Sequence, residues 1–172
     1  HKDIVVPPYV PLRELKGARP PHAWRRYRYS LVFAGGIFGA REEPDSEAPA
    51  DWRSSSYAQG MRQAIYMRFG GGHGGAALVS DHDEPMLLSR HHVNDSLLTQ
   101  AKLCLAPSGF GYGQRTTRAA LLGCVPLIAQ PLVVMPFEGL LPYDDFSTRL
   151  DLPSVAQLPA LLVRITRPKL AS

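Results

Sequence analysis

The hydrophobic positions of this chain fall into short apolar runs separated by polar, glycine-rich and proline-rich stretches, a pattern that predicts alternating strands and helices. The clearest unit spans residues 101–137, AKLCLAPSGFGYGQRTTRAALLGCVPLIAQPLVVMPF. An apolar run at 103–106 stops at Pro107 and glycines recur at 109, 111 and 113. A helical segment occupies 114–122, Gly123 closes it, and a second apolar run follows at 125–129. Strand, glycine loop, helix and strand in that order predict a βαβ unit, whose strands are parallel neighbours with a right-handed crossover.

The alternation recurs on either side. Residues 29–34 (YSLVFA) predict a strand that ends at Gly35 and Gly36, and 76–80 (AALVS) predict another. Residues 57–69 (YAQGMRQAIYMRF) predict a helix with Met61, Ala64, Ile65 and Arg68 on one side. Residues 94–100 (NDSLLTQ) read as a capped helix leading into the central strand. Residues 4–6 predict a short strand stopped by Pro7 and Pro8, and 143–150 (YDDFSTRL) a last strand in which Phe146, Thr148 and Leu150 alternate. Residues 152–165 predict a last helix that buries Leu158, Leu161, Leu162 and Ile165, with Pro159 straining it. Residues 11–26 read as an irregular connection, 41–56 as a surface loop or mobile insertion, and 131–141 as an apolar segment broken by prolines. The expected fold class is α/β, a Rossmann-like parallel sheet in one domain over 1–165 with a tail at 166–172.

Composition narrows the partners. With 45% hydrophobic and 20% charged residues, the 172-residue chain is ordinary for a soluble globular domain. No apolar run is long enough to span a bilayer and there is no signal-peptide pattern. The chain opens at His1, so an upstream region with a membrane anchor stays open. The net charge of +4 suits an anionic ligand, while the lack of a basic run with interleaved aromatics argues against nucleic acid. Asp81, His82, Asp83, Glu84, His91 and His92 carry metal-ligating atoms, but their spacing is not that of a zinc site. They read as polar surface, and no metal is expected.

The glycine loop has the chemistry of an anion site. Its glycines permit close backbone approach, and N–H groups at a helix start favour negative charge. Arg115 and Arg118, three residues apart, share a helix face although cations near a helix N-terminus oppose its dipole. A diphosphate between them would supply the reason. A plain turn with two solvated arginines fits the same residues.

Cys104-Leu105-Ala106-Pro107-Ser108-Gly109, Arg115, Gly123-Cys124-Val125-Pro126-Leu127-Ile128 and Met135-Pro136-Phe137 together resemble the exostosin family, the inverting enzymes of glycosyltransferase family 47. The resemblance implies the carboxyl-terminal, donor-binding half of a GT-B enzyme. Such an enzyme moves a sugar from a nucleotide-sugar, expected to be a UDP-sugar, to a glycan or glycoprotein acceptor. It implies a Golgi membrane location on the lumenal side, no cofactor or metal, and an isolated domain that is inactive alone. Carried onto this chain, it makes Gly35, Gly36, Ser108, Gly109, Gly111, Gly113, Arg115 and Arg118 candidates for nucleotide-sugar binding. Arg62, in a segment similar to the family's Y-S-x-G-x-R-Q, is a candidate to face the ligand, as are Phe137 and Glu138 at the crevice wall. No catalytic base is identified. Many members carry a glutamate three residues after the loop arginine, where this chain has Arg118, and its loop is about one residue shorter than in typical members. A carboxylate can accept hydrogen bonds from ribose and arginine cannot. A degenerate carbohydrate- or nucleotide-binding module is therefore the alternative, and a nucleotide-binding protein unrelated to glycan synthesis is another.

Cys104 and Cys124 are the only cysteines. If their strands are parallel neighbours, both lie at the amino ends of chains about 4.8 Å apart, which suits a disulfide. The bridge would close a loop around the helix carrying Arg115 and Arg118, and would imply an oxidising compartment. Two buried thiols packed as small hydrophobes are the alternative.

Overall fold

A computed structural model of the protein describes residues 5–7, 11, 27–36, 58–69, 76–79, 85–89, 95–109 and 114–166. In chain order its elements are β1 (Tyr29–Ala34), α1 (Met61–Phe69), β2 (Ala76–Val79), β3 (Met86–Ser89), α2 (Asp95–Leu98) and β4 (Ala101–Pro107). Then come α3 (Arg115–Leu121), β5 (Val125–Ala129), α4 (Tyr143–Phe146), β6 (Thr148–Arg149) and α5 (Leu158–Thr166). Short 3₁₀ turns precede α1 and α5.

The strands form one sheet in the order β2-β3-β1-β4-β5-β6. Pairing is parallel from β3 through β6, and β2 runs antiparallel to β3 at the edge. This is an α/β, Rossmann-like sheet, and the predicted βαβ unit is β4-α3-β5, with Leu105 opposite Leu127.

Parallel strands covered on both faces read as nearly unbroken apolar runs. Successive residues nevertheless divide between two cores. Leu31, Phe33, Leu103, Leu105, Leu127 and Ala129 pack with Met61, Ile65 and Phe69 of α1 and with Leu158 and Leu162 of α5. Val32 and Cys104 face the other way, toward Ala119 of α3 and Leu97 and Leu98 of α2. Helices α1 and α5 therefore cover one face, and α2 and α3 cover the other.

Strand order sets the position of the site. From β1 the chain goes out to β3 on one side, then returns to place β4 on the other. Order reverses at β1, and in open α/β sheets ligands bind in the crevice beyond the carboxyl ends at such a point.

Several expectations are corrected. Strand β3 has no counterpart among the predicted elements, because MLLS between Pro85 and Arg90 is too short to show a period of its own. Only Thr148 and Arg149 of the expected strand at 143–150 pair with β5. The preceding residues turn into α4, where Asp144 and Asp145 sit favourably in a first turn and the Ser147 hydroxyl donates to the Tyr143 carbonyl at 2.6 Å. Helix α1 buries Arg62 and Gln63 and exposes Arg68, the reverse of what apolar spacing predicts for the arginines. Pro159 does not strain the last helix, because α5 begins at Leu158 and places the proline in its first turn, where no N–H is needed. Val5, Val6 and Pro7 are irregular rather than extended in a strand, and the Val5 carbonyl accepts the Phe137 N–H at 2.9 Å. The acidic and histidine cluster at 81–84 and 91–92 lies outside the described residues.

Helix α3 stops as its sequence predicts. Gly123 takes φ of 74°, which lets its N–H reach the Ala120 carbonyl and the Cys124 N–H reach that of Ala119. Cys124 is thereby brought beside Cys104, and the two form a disulfide with Cα atoms 5.8 Å apart.

Candidate functional site

The carboxyl ends of β1 and β4 carry the groups that sequence alone marks for anion binding. Gly35 and Gly36 follow β1, and Ser108 and Gly109 follow β4. Two arginines enter between them from opposite faces of the sheet.

Arg62, the second residue of α1, comes from one face. Its Nε donates to the Ser108 carbonyl at 2.8 Å, and its Nη1 donates to the Gly36 carbonyl at 2.8 Å. The residue is only 6% exposed. A buried guanidinium without acceptors would be costly, so these two carbonyls explain how a charged residue can occupy the core side of α1. Hydrogen bonds from a charged donor contribute about 1.5–3 kcal/mol each.

Arg115, the first residue of α3, comes from the other face. Its Nη1 donates to the Ala34 carbonyl at 2.6 Å, so the half-buried guanidinium lies across the end of β1. Both arginines meet the ring of Phe33, with guanidinium carbons 5.8 Å (Arg62) and 5.3 Å (Arg115) from its centroid. Such cation–π contacts contribute about 0.5–2 kcal/mol. Two cations gathered at one strand end make the crevice electropositive.

Glycine gives an arginine close room twice here. A Cβ on Gly35 would overlap Arg115 Nη2 and lie 3.1 Å from Cζ, and its φ of +153° is one that side chains rarely adopt. On Gly109 a Cβ would stand 3.0 Å from Arg62 Nη2. Ser108 is 8% exposed, and its hydroxyl oxygen, fully buried, finds no hydrogen-bond partner among the described residues. A buried hydroxyl with no partner among the described residues is unusual.

The end of β5 contributes Gln130, which is buried and donates through Nε2 to the Ala106 carbonyl at 3.0 Å and to Thr116 Oγ1 at 3.4 Å. This ties β4 to the first turn of α3. Beyond it, the loop at 131–141 is pinned from inside. The Tyr143 hydroxyl donates to the Pro136 carbonyl at 2.9 Å, the Met135 N–H donates to Glu138 Oε2 at 2.6 Å, and Glu138 Oε1 pairs with Arg149. Phe137 is half-buried with φ of 54°, and Glu138 is exposed.

The structure thus gathers Gly35, Gly36, Arg62, Ser108, Gly109 and Arg115 at one point. Arg118 lies a turn further along α3, half-buried. Phe137 and Glu138 belong to the neighbouring loop after β5, while Gly111 and Gly113 fall outside the described residues. Sequence reasoning misses Phe33, which reads only as one more apolar strand residue. It also misses Gln130 and Thr116, although a glutamine at the end of the apolar run 125–129 is a usable signal.

A Rossmann-like parallel sheet, with two arginines and glycines gathered at the strand ends where its order reverses, defines an α/β domain. The family follows from comparison: residues 1–165 match the Exostosin GT47 domain, and the chain belongs to that family. It is 25% identical over 94% of its length to the "Probable beta-1,4-xylosyltransferase IRX10L" of Arabidopsis thaliana, covering 35% of that protein. It is 24% identical over 94% of its length to the "Probable glucuronosyltransferase GUT1" of Oryza sativa subsp. japonica, covering 35%. A third relative, the "Probable glucuronosyltransferase 47 A" of Physcomitrium patens, is 24% identical over 94% of the chain, which covers 32% of it. The chain spans about a third of the length of these curated relatives. No solved structure matches it. Among the described residues no helix is long and apolar enough to cross a membrane.

Proposed function

We propose that this chain is the donor-binding domain, over 1–165, of a glycosyltransferase that transfers a sugar from a nucleoside-diphosphate sugar, of the UDP class, to a glycan acceptor. The observation that carries the reading is Arg115, laid across the end of β1 by its bond to the Ala34 carbonyl, at the crevice where the strand order reverses. In that position a guanidinium can meet the two phosphates of a donor and stabilise the charge that develops as the diphosphate leaves. The Gly109 backbone N–H is the neutral donor beside it.

In the reaction, an acceptor hydroxyl attacks the anomeric carbon as the bond from that carbon to the diphosphate oxygen breaks. The hydroxyl proton passes to a base, and the electron pair leaves with the diphosphate. Attack opposite the leaving group gives inversion, as the exostosin resemblance implies. Cationic side chains take the role that a metal would otherwise have at the diphosphate, and the reading includes no metal. It also includes a second domain to complete the cleft, which leaves this domain inactive by itself, and a lumenal Golgi location, for which the Cys104–Cys124 disulfide is support because such bridges persist in oxidising compartments.

Arg118 favours a second reading, a degenerate module that binds a nucleotide or carbohydrate without transfer, since an arginine there offers ribose no acceptor. Donor screening on the full-length protein, with sugar transfer and nucleotide release measured together, separates the two. Transfer from a UDP-sugar supports the enzyme. Binding with no transfer across a broad acceptor panel supports the module, and no binding of any nucleotide or of any glycan in the panel overturns both.

A further inference from the structure

We infer that Arg62 is a positioning residue of the donor site, holding the loops that follow β1 and β4 at a set separation so that Arg115 and the Gly109 backbone meet the diphosphate together. The inference rests on the donor-site reading above and goes beyond it, because Arg62 acts there without touching the ligand.

Its guanidinium donates to a backbone carbonyl on each loop: Ser108 after β4 and Gly36 after β1. The guanidinium is a rigid planar fork, so bonds from Nε and Nη1 to two acceptors fix those acceptors relative to each other. At 6% exposure the side chain is buried and offers almost no surface to a ligand. A trans peptide unit points its C=O and N–H in opposite directions. With the Ser108 carbonyl turned inward onto Arg62, the Gly109 N–H of the same unit is turned away from it. The fit is close on the β4 side, where a Cβ on Gly109 would press on Arg62 Nη2 at 3.0 Å. On the β1 side the loop that Arg62 holds begins at Gly35, over which Arg115 lies. Phe33 supports both guanidiniums from below, so the two cations share one platform while doing different work.

The test measures binding of UDP and of inorganic pyrophosphate to the full-length protein and its variants, with melting temperature alongside. Arg62→Lys keeps the charge but replaces the two-pronged fork with a single ammonium. It is expected to fold with a lowered melting temperature, because one of the two internal bonds is lost, and to bind both probes about tenfold more weakly at a temperature where wild type and variant are both fully folded. Gly109→Ala, which displaces the same guanidinium, is expected to give a similar loss, and the double variant is expected to be no worse than either single one. Wild-type affinity in Arg62→Lys, or losses that add in the double variant, would overturn the inference. If Arg62→Lys does not fold, wild-type affinity in Gly109→Ala overturns it alone. Direct contact is distinguished by salt: Arg115→Met should reduce the salt dependence of binding most, whereas Arg62→Met should weaken binding and reduce that dependence less, because its charge acts only through the field. An equal fall in both would show that Arg62 touches the phosphates itself, against the inference. Failure of the underlying reading shows separately, as unchanged affinity in Arg115→Met.

Discussion

Arg115 occupies the space that a side chain on Gly35 would need, its Cζ 3.1 Å from where the Cβ would stand. The first residue of α3 and the first residue after β1 are thus matched across the sheet end, far apart in the chain. Gly35→Ala should push the guanidinium off the Ala34 carbonyl and strain a backbone at φ of +153°. The expected cost is about 1–3 kcal/mol of stability, read by urea denaturation, together with loss of nucleotide affinity. Unchanged stability and affinity would mean that the close approach has no consequence.

Arg115 itself is expected to matter to the ligand more than to the fold. Replacing a partly exposed charge that donates to phosphate should weaken donor binding by about 1.5–3 kcal/mol, or roughly tenfold to a hundredfold. Arg115→Ala should show this in calorimetric titration of the full-length protein with UDP. Arg164→Ala, which removes the same charge from an exposed position on α5, is the control and should bind as wild type.

The Cys104–Cys124 bridge closes a loop around α3, with a sequence separation of 20. In the chain-entropy model a loop of this size stabilises the fold by about 3 kcal/mol. Denaturation with and without reductant should differ by about that amount, and peptide mass spectrometry without reduction should recover the two cysteines linked. The effect is expected to reach the site, because α3 presents Arg115.

Asp151 provides a pH-dependent contribution. The hydrogen bond from the Ser154 side chain is the largest influence and holds the carboxyl below its ordinary value; desolvation opposes it, and the backbone N–H groups of Ser154 and Asp151 add smaller lowering contributions. The Ser154 N–H reaches Oδ1 at 3.1 Å at the start of the 3₁₀ turn that precedes α5. A folded-state value below the unfolded one contributes stability that is present above the unfolded value, about 3.9, and is lost as pH falls through the folded value. Asp151→Ala should therefore be slightly less stable than wild type at neutral pH, and the difference should close in acid, as followed by thermal melts across pH. A difference that persists at the acid end would exclude the carboxylate as its source.

Local pattern determined a good deal of this protein. The βαβ unit at 101–129, its glycine stop, the strand at β1 and the disulfide pair were legible because each depends on a short-range signal: apolar runs, a positive φ that glycine takes freely, and two cysteines at corresponding strand starts. Gly109 and Arg115 stood out as candidates for the same reason, as a glycine and an arginine in a loop after a strand, whereas Gly35, Gly36 and Ser108 became candidates through the exostosin resemblance. What only the tertiary structure decided was which of them meet and what each does there. The position of β1 between β3 and β4 cannot be read from any window of sequence, because strand order is set by long-range pairing and two-sided burial. Hydrophobic spacing puts Arg62 on the polar side of its helix, yet it is buried and Arg68 is exposed. Two backbone carbonyls from distant strands solvate its charge inside the fold, and no periodicity carries the record of acceptors that the chain brings together only when folded.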